Sequence, residues 1–247
     1  LVPVTADTGY QLNRSLVANS WQGNSRGVLL ASPSNPTGSV ICETDMADIV
    51  DEVMTRQGHL IVDEIYHGLD YSDEKLRSVV ELSDHCIVVN SFSKYFGMTG
   101  WRLGWMVVPE SAISGVEKLA QNLFICPSSI AQYAALAAFS EEARSEIDRN
   151  RSAFKQRRDY LLRELKALGF GIPVEPSGAF YIYAQLPEGC GNSEAFCHDL
   201  LEQHSVAVTP GTDFGYFDAD RYVRFSYAQD IALLRQGIKQ LKQALTT

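Results

Sequence analysis

The sequence predicts an α/β fold in which a mostly parallel sheet is sandwiched by helices and is followed by a smaller α+β domain. In the first half of the 247 residues, short continuous apolar runs alternate with helical patterns. Such alternation is typical of parallel strands that are buried on both faces. In the second half, strands and helices segregate. The composition, with 45% apolar and 21% charged residues, is that of an ordinary globular protein.

The first half contains four strand candidates, at residues 28–32, 60–63, 86–90 and 103–108. Each is a short apolar run, and the first ends at a proline. Between the first two runs, residues 44–57 have helical spacing, with apolar side chains on one face at Met46, Ile49, Val50 and Val53. These elements assign residues 1–140 to a large domain.

A long amphipathic helix is predicted over residues 141–168, because this segment is charged and rich in Ala, Leu and Arg. Gly169 directly follows it and suits a helix C-cap. Strands are predicted at residues 180–184, 206–209 and 222–226, and helices at 193–204 and 230–244. Residues 141–247 are therefore assigned to a linking helix and a small C-terminal domain.

Charge and cysteine content exclude several function classes. The 21 Lys and Arg residues against 30 Asp and Glu residues give a formal net charge of −9. This balance argues against sequence-independent nucleic-acid binding and against docking on anionic lipid. No residue cluster has a spacing convincing for a metal site. The five cysteines are odd in number and scattered, which favours reduced thiols and a cytoplasmic protein.

Candidate chemistry falls at strand ends and turns, where open α/β sheets bind ligands. Residues 32–38 form a rigid turn that contains Asn35 and two prolines. Asp63 ends the second predicted strand and is followed by Tyr66. A carboxylate at the tip of a buried strand needs a partner. A cationic ring nitrogen would satisfy this need, and an ordinary N-cap is the alternative interpretation of Asp63.

Lys94 follows the third predicted strand, and its neighbours are suited to a phosphate. Two hydroxyls, Ser91 and Ser93, precede it, and Arg102 lies eight residues further on in a glycine-rich stretch. Hydroxyls and a guanidinium are good partners for a phosphate dianion, and glycines allow close approach of the backbone. A solvated lysine is the common alternative for a single Lys.

Arg224 lies in the middle of the predicted strand 222–226, where an unpaired cation would be costly. Arg221 is three residues away and should face the opposite side of a regular strand. We therefore expect Arg224 to point inward. It would either bind a substrate carboxylate with two hydrogen bonds or form a buried ion pair.

Together these motifs resemble the class I/II aminotransferases of fold type I, which depend on pyridoxal phosphate. The residues that carry the resemblance are Asn-Pro-Thr-Gly at 35–38, Asp-x-x-Tyr at 63–66, Ser-x-Ser-Lys at 91–94, Gly-x-Arg-x-Gly at 100–104 and Arg-Phe-Ser at 224–226. Each motif is weak alone, but their order and spacing extend over most of the chain.

The resemblance implies a role for each of these side chains. Lys94 resembles the Schiff-base lysine, and Asp63 the partner of the pyridine nitrogen. Asn35 and Tyr66 resemble the hydrogen-bond partners of the phenolic oxygen of the ring. The resemblance also implies a cis peptide bond at Asn35–Pro36.

The remaining matched positions concern anionic groups. Ser91 and Arg102 resemble phosphate ligands, and Ser93 is a further candidate. Arg224 resembles the arginine that binds the α-carboxylate of the substrate, and Asn35 is a second candidate for substrate binding.

The implied activity is transamination between an L-amino acid and a 2-oxo acid, in a full-length protein that is a homodimer. Family members carry a phosphate-binding helix N-terminus and a ring-stacking aromatic upstream of the region seen in this sequence. We therefore expect the chain to be a fragment, with an incomplete large domain and poor retention of the cofactor. A pyridoxal-phosphate-dependent carbon–sulfur lyase and the ligand-sensing domain of a transcriptional regulator remain alternatives.

Overall fold

A computed structural model describes residues 1–72 and 76–246 of the chain. The α-helices are α1 (Arg14–Ser20), α2 (Glu43–Thr55), α3 (Glu110–Leu123), α4 (Ser129–Ala137), α5 (Glu141–Ala167), α6 (Ser193–His204) and α7 (Ile231–Ala244). The strands are β1 (Gly27–Ala31), β2 (His59–Asp63), β3 (Ile87–Ser91), β4 (Gly104–Val107), β5 (Tyr181–Gln185), β6 (Thr209–Pro210) and β7 (Tyr222–Ser226).

The described chain divides into two compact units. Unit 1 comprises Leu1–Val4, Gln11–Pro33 and Val40–Arg151, and unit 2 comprises Thr5–Tyr10, Ser34–Ser39 and Ser152–Thr247. Helix α5 contributes residues to both units. The sequence predicts a domain boundary between residues 140 and 141, where this helix begins. That boundary remains a prediction.

Unit 1 is built on a four-stranded sheet of order β1-β2-β3-β4. The first three strands are parallel, and β4 pairs antiparallel with β3 at one edge. One face of the sheet packs on α1 and α2 through buried side chains such as Leu30, Val62, Val88 and Ile49. The apolar spacing of α2 and the burial of alternate strand residues therefore place the main core of unit 1 on this face.

The opposite face of this sheet keeps apolar side chains in solvent. Leu29, Val89 and Met106 are all exposed, and their strands pair Leu29 with Ile61 and Val89 with Met106. Helix α3 has no buried residue. A second cluster forms where α4 packs against residues 92–103, with Phe92, Met98, Leu103, Ala131, Ala135 and Ala138 buried.

Unit 2 contains a three-stranded antiparallel sheet of order β5-β7-β6. Strand β5 is buried over four of its five residues. Val223 and Phe225 of β7 are buried, and the ring of Phe225 meets that of Phe170 edge-on at 5.3 Å. The two sheets thus differ in kind, which confirms the predicted contrast between a mostly parallel half and an α+β half.

Most predicted elements are confirmed, including the long helix that ends before Gly169, whose backbone is left-handed. The strand predicted at 206–209 is wrong, because only Thr209 and Pro210 pair with β7. The sequence interpretation also missed α1, α3 and α4. In the described residues, no helix is both long and apolar enough to cross a membrane.

Candidate functional site

In unit 1, the parallel strands bring polar side chains to one edge of the sheet. Asp63 ends β2 and Ser91 ends β3, and Asp63 is in register with Val89. Carboxyl ends of adjacent parallel strands open on the same edge. One carboxylate oxygen of Asp63, Oδ1, accepts a hydrogen bond from the Ile65 amide at 3.0 Å. Within residues 1–72 and 76–246, the other oxygen has no hydrogen-bond partner.

The turn after Asp63 is held by a buried carboxylate that the sequence interpretation overlooked. Glu64 accepts hydrogen bonds from the Ser78 hydroxyl at 2.8 Å and from the Val79 amide at 2.8 Å. The Glu64 amide itself donates to the Val89 carbonyl at 2.8 Å. Tyr66, in this turn, is buried. A carboxylate beside a strand-end Asp is the sequence signal that could have identified Glu64.

Lys94 lies in a tight turn that is organised by hydroxyls. The Ser91 hydroxyl donates to the Ser93 hydroxyl at 2.9 Å and accepts from the Ser93 amide at 3.0 Å. The Thr99 hydroxyl donates to the Ser93 carbonyl at 2.6 Å. The Nζ atom of Lys94 lies 5.7 Å from the centroid of the Tyr66 ring. The structure thus brings Lys94 together with Tyr66 and with the hydroxyls of Ser91 and Ser93, the candidate hydrogen-bond donors to a phosphate.

Arg102 occupies a left-handed backbone conformation, with φ 53°. Its side chain is exposed, and Nη1 donates to the Thr99 carbonyl at 3.0 Å. Among the described residues, no carboxylate lies within ion-pair distance of it. The guanidinium therefore keeps most of its donors available for an anion.

In unit 2, the side chains that hold Arg224 carry no charge. Its Nη1 donates to Asn35 Oδ1 at 2.8 Å, and its Nη2 donates to the Thr209 hydroxyl at 3.2 Å. The guanidinium carbon lies 4.3 Å from the centroid of the Tyr181 ring and 4.7 Å from that of Phe214. The arginine is therefore fixed between two aromatic rings.

The alternative of an ion pair at Arg224 finds no support in the described part of the chain, where no carboxylate comes within 4 Å of it. Its Nε atom is buried without a hydrogen-bond partner in the same residues. Arg221 instead donates to the Gly191 carbonyl from an exposed position. A buried donor without an acceptor is costly, so this arginine is suited to an anionic ligand.

A cluster of three tyrosines in unit 2 was missed by the sequence interpretation. The rings of Tyr183 and Tyr222 stack at 4.9 Å, and Tyr10 meets Tyr183 edge-on at 5.9 Å. Burial raises the pKa of Tyr183 to about 12. Burial, followed by the neighbouring Tyr222 phenol, raises the pKa of Tyr10 above its usual range. The spacing of these residues in the sequence gives no signal of this contact.

The donor set of unit 1 fits a flat, anionic, heteroaromatic cofactor. A strand-end carboxylate with an open oxygen suits a protonated ring nitrogen, a lysine amine suits a carbonyl carbon, and hydroxyls with a guanidinium suit a phosphate. The Asn35–Pro36 peptide bond of unit 2 is cis, and so is that of Ser32–Pro33. The fold is that of the pyridoxal-phosphate-dependent proteins of fold type I.

Comparison with known proteins gives the family. The family model described as aminotransferase class I and II matches residues 10–241. A valine–pyruvate aminotransferase of Mycobacterium tuberculosis is 40% identical over 217 residues, which cover 87% of this chain and 56% of that protein. An aspartate aminotransferase of Sulfolobus acidocaldarius is 35% identical, with 96% and 60% covered.

Solved structures agree with these relatives. The crystal structure of an aminotransferase from Mycobacterium tuberculosis superimposes with a TM-score of 0.94 at 37% identity, covering 99% of this chain and 63% of that one. An aromatic aminotransferase from Pyrococcus horikoshii gives a TM-score of 0.92 at 32% identity, covering 99% and 66%. The chain belongs to the class I and II aminotransferases, a family that uses pyridoxal phosphate.

The chain spans 56% and 60% of the lengths of the two relatives described above. The relatives and solved structures named here are aminotransferases, and they do not favour the lyase or the regulator alternative. The family is thus established, and the activity of the whole protein is a matter for proposal.

Proposed function

We propose that this chain is part of a pyridoxal-phosphate-dependent transaminase that moves an amino group between an L-amino acid and a 2-oxo acid. The observation that carries the proposal is the placement of Lys94 beside the Tyr66 ring, in a turn that also presents Ser91 and Ser93. An amine, a phenol and hydroxyl groups that can bind a phosphate, in two turns that follow adjacent strands, are what this chemistry requires.

Lys94 would hold the cofactor covalently through Nζ. Pyridoxal phosphate, when bound, supplies an electron sink for the charge left at the substrate Cα. Once released by the incoming amine, Nζ of Lys94 would be the base that takes the proton from the substrate Cα and delivers it to C4′ of the cofactor. The centroid of the Tyr66 ring lies 5.7 Å from Nζ.

The other unit 1 residues would orient the cofactor. The open oxygen of Asp63 would accept a hydrogen bond from the protonated ring nitrogen, and the negative charge of the carboxylate would keep that nitrogen protonated. Tyr66 donates to the phenolic oxygen of the ring. Ser91, Ser93 and Arg102 bind the phosphate, for which the exposed guanidinium of Arg102 supplies charge-assisted hydrogen bonds.

Two residues of unit 2 complete the proposal. Asn35 would bind the phenolic oxygen of the ring and, through its Oδ1, keeps the Arg224 guanidinium in place. Arg224 would bind the α-carboxylate of the substrate, because its buried Nε atom lacks an acceptor among the described residues. Valine and aspartate are the donors to try first, since they appear in the names of two relatives.

We further propose that the protein acts in the cytoplasm as a homodimer. All five cysteines are free, which suits a reducing compartment. Exposed apolar side chains at Leu123, Ile125 and Tyr133 provide the kind of surface that a partner subunit covers.

Covalent trapping tests the function directly. The chain is saturated with pyridoxal phosphate, reduced with borohydride, digested and analysed by mass spectrometry. Reduction makes the adduct permanent, so even weak binding is recorded. We expect the label on Lys94, and we expect Lys94→Ala to lower amino-group transfer on the order of 10³-fold or more in any preparation that turns over.

Lys118 is the matched control because it is an exposed lysine on α3. Lys118→Ala should leave the labelled fraction unchanged. Labelling spread over the surface lysines, with no preference for Lys94, would show that the proposed function is wrong.

A further inference from the structure

Arg151 binds Asp70 through two different acceptors in unit 1. Its Nε donates to the Asp70 backbone carbonyl at 2.8 Å, and its Nη2 donates to the Asp70 carboxylate at 3.0 Å. Asp70 is 7% exposed. A bond to the backbone fixes the position of the main chain, whereas a bond to a carboxylate alone would leave the side chain to adjust. Neither residue belongs to the candidate site described above.

The bound main chain is the turn that carries Tyr66. This turn begins at Glu64, whose carboxylate is anchored to Ser78 and Val79, and it ends at Asp70. Inside it, the Leu69 amide donates to the Tyr66 carbonyl at 2.9 Å. Glu64 and Arg151 thus fix the two ends of the turn, and Tyr66 lies between them.

The same turn is packed against the residue that follows Lys94. Gly68 has φ 88°, and a Cβ atom built on it would lie 2.7 Å from the Tyr95 ring. The ring therefore lies directly on the Gly68 backbone, at a distance that only glycine permits. A displacement of the turn at Gly68 would move Tyr95 and, with it, the adjoining backbone of Lys94.

We propose that Arg151 is a positioning residue for Lys94 and Tyr66, acting through Asp70 and the contact of Gly68 with Tyr95. The inference rests on the proposed function, since it assigns Arg151 to the reaction of Lys94. Arg151 touches neither the cofactor nor the substrate in this assignment. It holds in place the two elements that present the amine and the phenol.

A second arginine on the same helix makes a suitable contrast. Arg149 of α5 pairs with Glu146, and both side chains are exposed. Exposed pairs of this kind contribute little, because solvent screens them and two long side chains must be ordered. Arg151→Met and Arg149→Met therefore remove the same charge and the same length of side chain from neighbouring positions, but only the first releases the turn.

Two measurements on the full chain test the proposal. Hydrogen exchange without cofactor is followed in peptides covering residues 64–71 and 92–97. The release of pyridoxal phosphate is followed by its visible absorption band and by borohydride trapping at Lys94. We expect Arg151→Met to speed exchange in both peptides, to shift the band and to speed release roughly tenfold, because a charge-assisted bond to a buried partner is lost.

Conservative variants keep the test decisive if Arg151→Met unfolds. Arg151→Lys retains a single donor and should restore part of the slow release, and Asp70→Asn should resemble Arg151→Met in a milder form. Arg149→Met should match the unchanged chain in every measurement.

Two results would overturn the inference. One is faster exchange confined to residues 64–71, with unchanged cofactor release and an unchanged absorption band. The bond from Arg151 to Asp70 would then have a structural role only. The other is equal behaviour of Arg151→Met and Arg149→Met. The absence of a trapped adduct at Lys94 in the unchanged chain would instead refute the proposed function and the inference with it. Faster exchange of Arg151→Met in both peptides would then show only that Arg151 holds the two turns in place.

Discussion

The two arginines proposed to bind anions differ in how their side chains are held. In unit 2, Arg224 is enclosed by Tyr181 and Phe214 and bonded to Asn35 and Thr209. In unit 1, Arg102 is exposed, and among the described residues its side chain bonds only to the Thr99 carbonyl. Side-chain packing fixes the first guanidinium, whereas the second extends from a residue whose backbone is left-handed.

This difference indicates what each arginine contributes. An enclosed guanidinium has already lost its rotamer freedom, so a carboxylate that binds it meets a rigid planar partner. An exposed guanidinium must be ordered when the ligand arrives, and water screens its charge. We therefore expect substitutions around Arg224 to have larger effects than substitutions at Arg102.

The largest effect is expected at Arg224. Arg224→Gln removes the charge and the fork of donors, which should lower kcat/KM for an amino-acid donor roughly 100-fold, or by about 2.7 kcal/mol. Trapping of the cofactor at Lys94 should remain. Arg221→Gln is the control, because the Arg221 side chain donates to the Gly191 carbonyl and, in residues 1–72 and 76–246, to no other acceptor. Equal losses in both variants would contradict a specific role for Arg224.

Alkaline pH should lower the free energy of unfolding, because unit 2 contains the buried phenol of Tyr183. An unfolded tyrosine loses its proton near its ordinary pKa of 10, but burial keeps Tyr183 protonated up to about 12. Between these values the unfolded state binds fewer protons, so the free energy of unfolding falls as pH rises, by up to about 1.4 kcal/mol per pH unit for each such group. Below pH 10 this contribution is fully present.

Denaturant unfolding between pH 9 and 12 measures this slope. Tyr183→Phe should flatten it, and Tyr216→Phe, at an exposed tyrosine, should leave it as it is. An unchanged slope in Tyr183→Phe would show that the phenol is not enclosed in solution.

A smaller effect is expected from the ring over Arg224. Phe214→Leu keeps an apolar side chain but removes the aromatic face 4.7 Å from the guanidinium carbon. The loss of about 1 kcal/mol should raise KM roughly fivefold with little change in kcat. Phe217→Leu, at an exposed phenylalanine of the same loop region, serves as the control. A fall in kcat at constant KM would argue against this role.

The smallest effect is expected at Arg102. Arg102→Gln should speed the release of pyridoxal phosphate only about threefold, because an exposed charge pair is worth less than about 1 kcal/mol. Added salt should reduce the difference between this variant and the unchanged chain. A loss as large as that of Arg224→Gln would reverse the comparison between the two regions.

Much of this arrangement was predictable from the sequence. Short apolar runs gave β1, β2 and β3, because continuous apolar runs are typical of the strands of parallel sheets. Lys94 and Asp63 were candidates because strand ends are where α/β sheets bind ligands. The strand at 206–209 was predicted wrongly, because a short apolar run does not report whether a partner strand lies beside it.

The sequence by itself determined which residue types follow each strand, and with them the family and the proposed role of Lys94. Only the tertiary structure decided what surrounds them. The hydrogen bond from Arg224 to Asn35 and the bond from Arg151 to Asp70 join residues that are far apart in the chain. Local patterns report the period of a helix or strand, and they carry no information about which distant side chains close a contact.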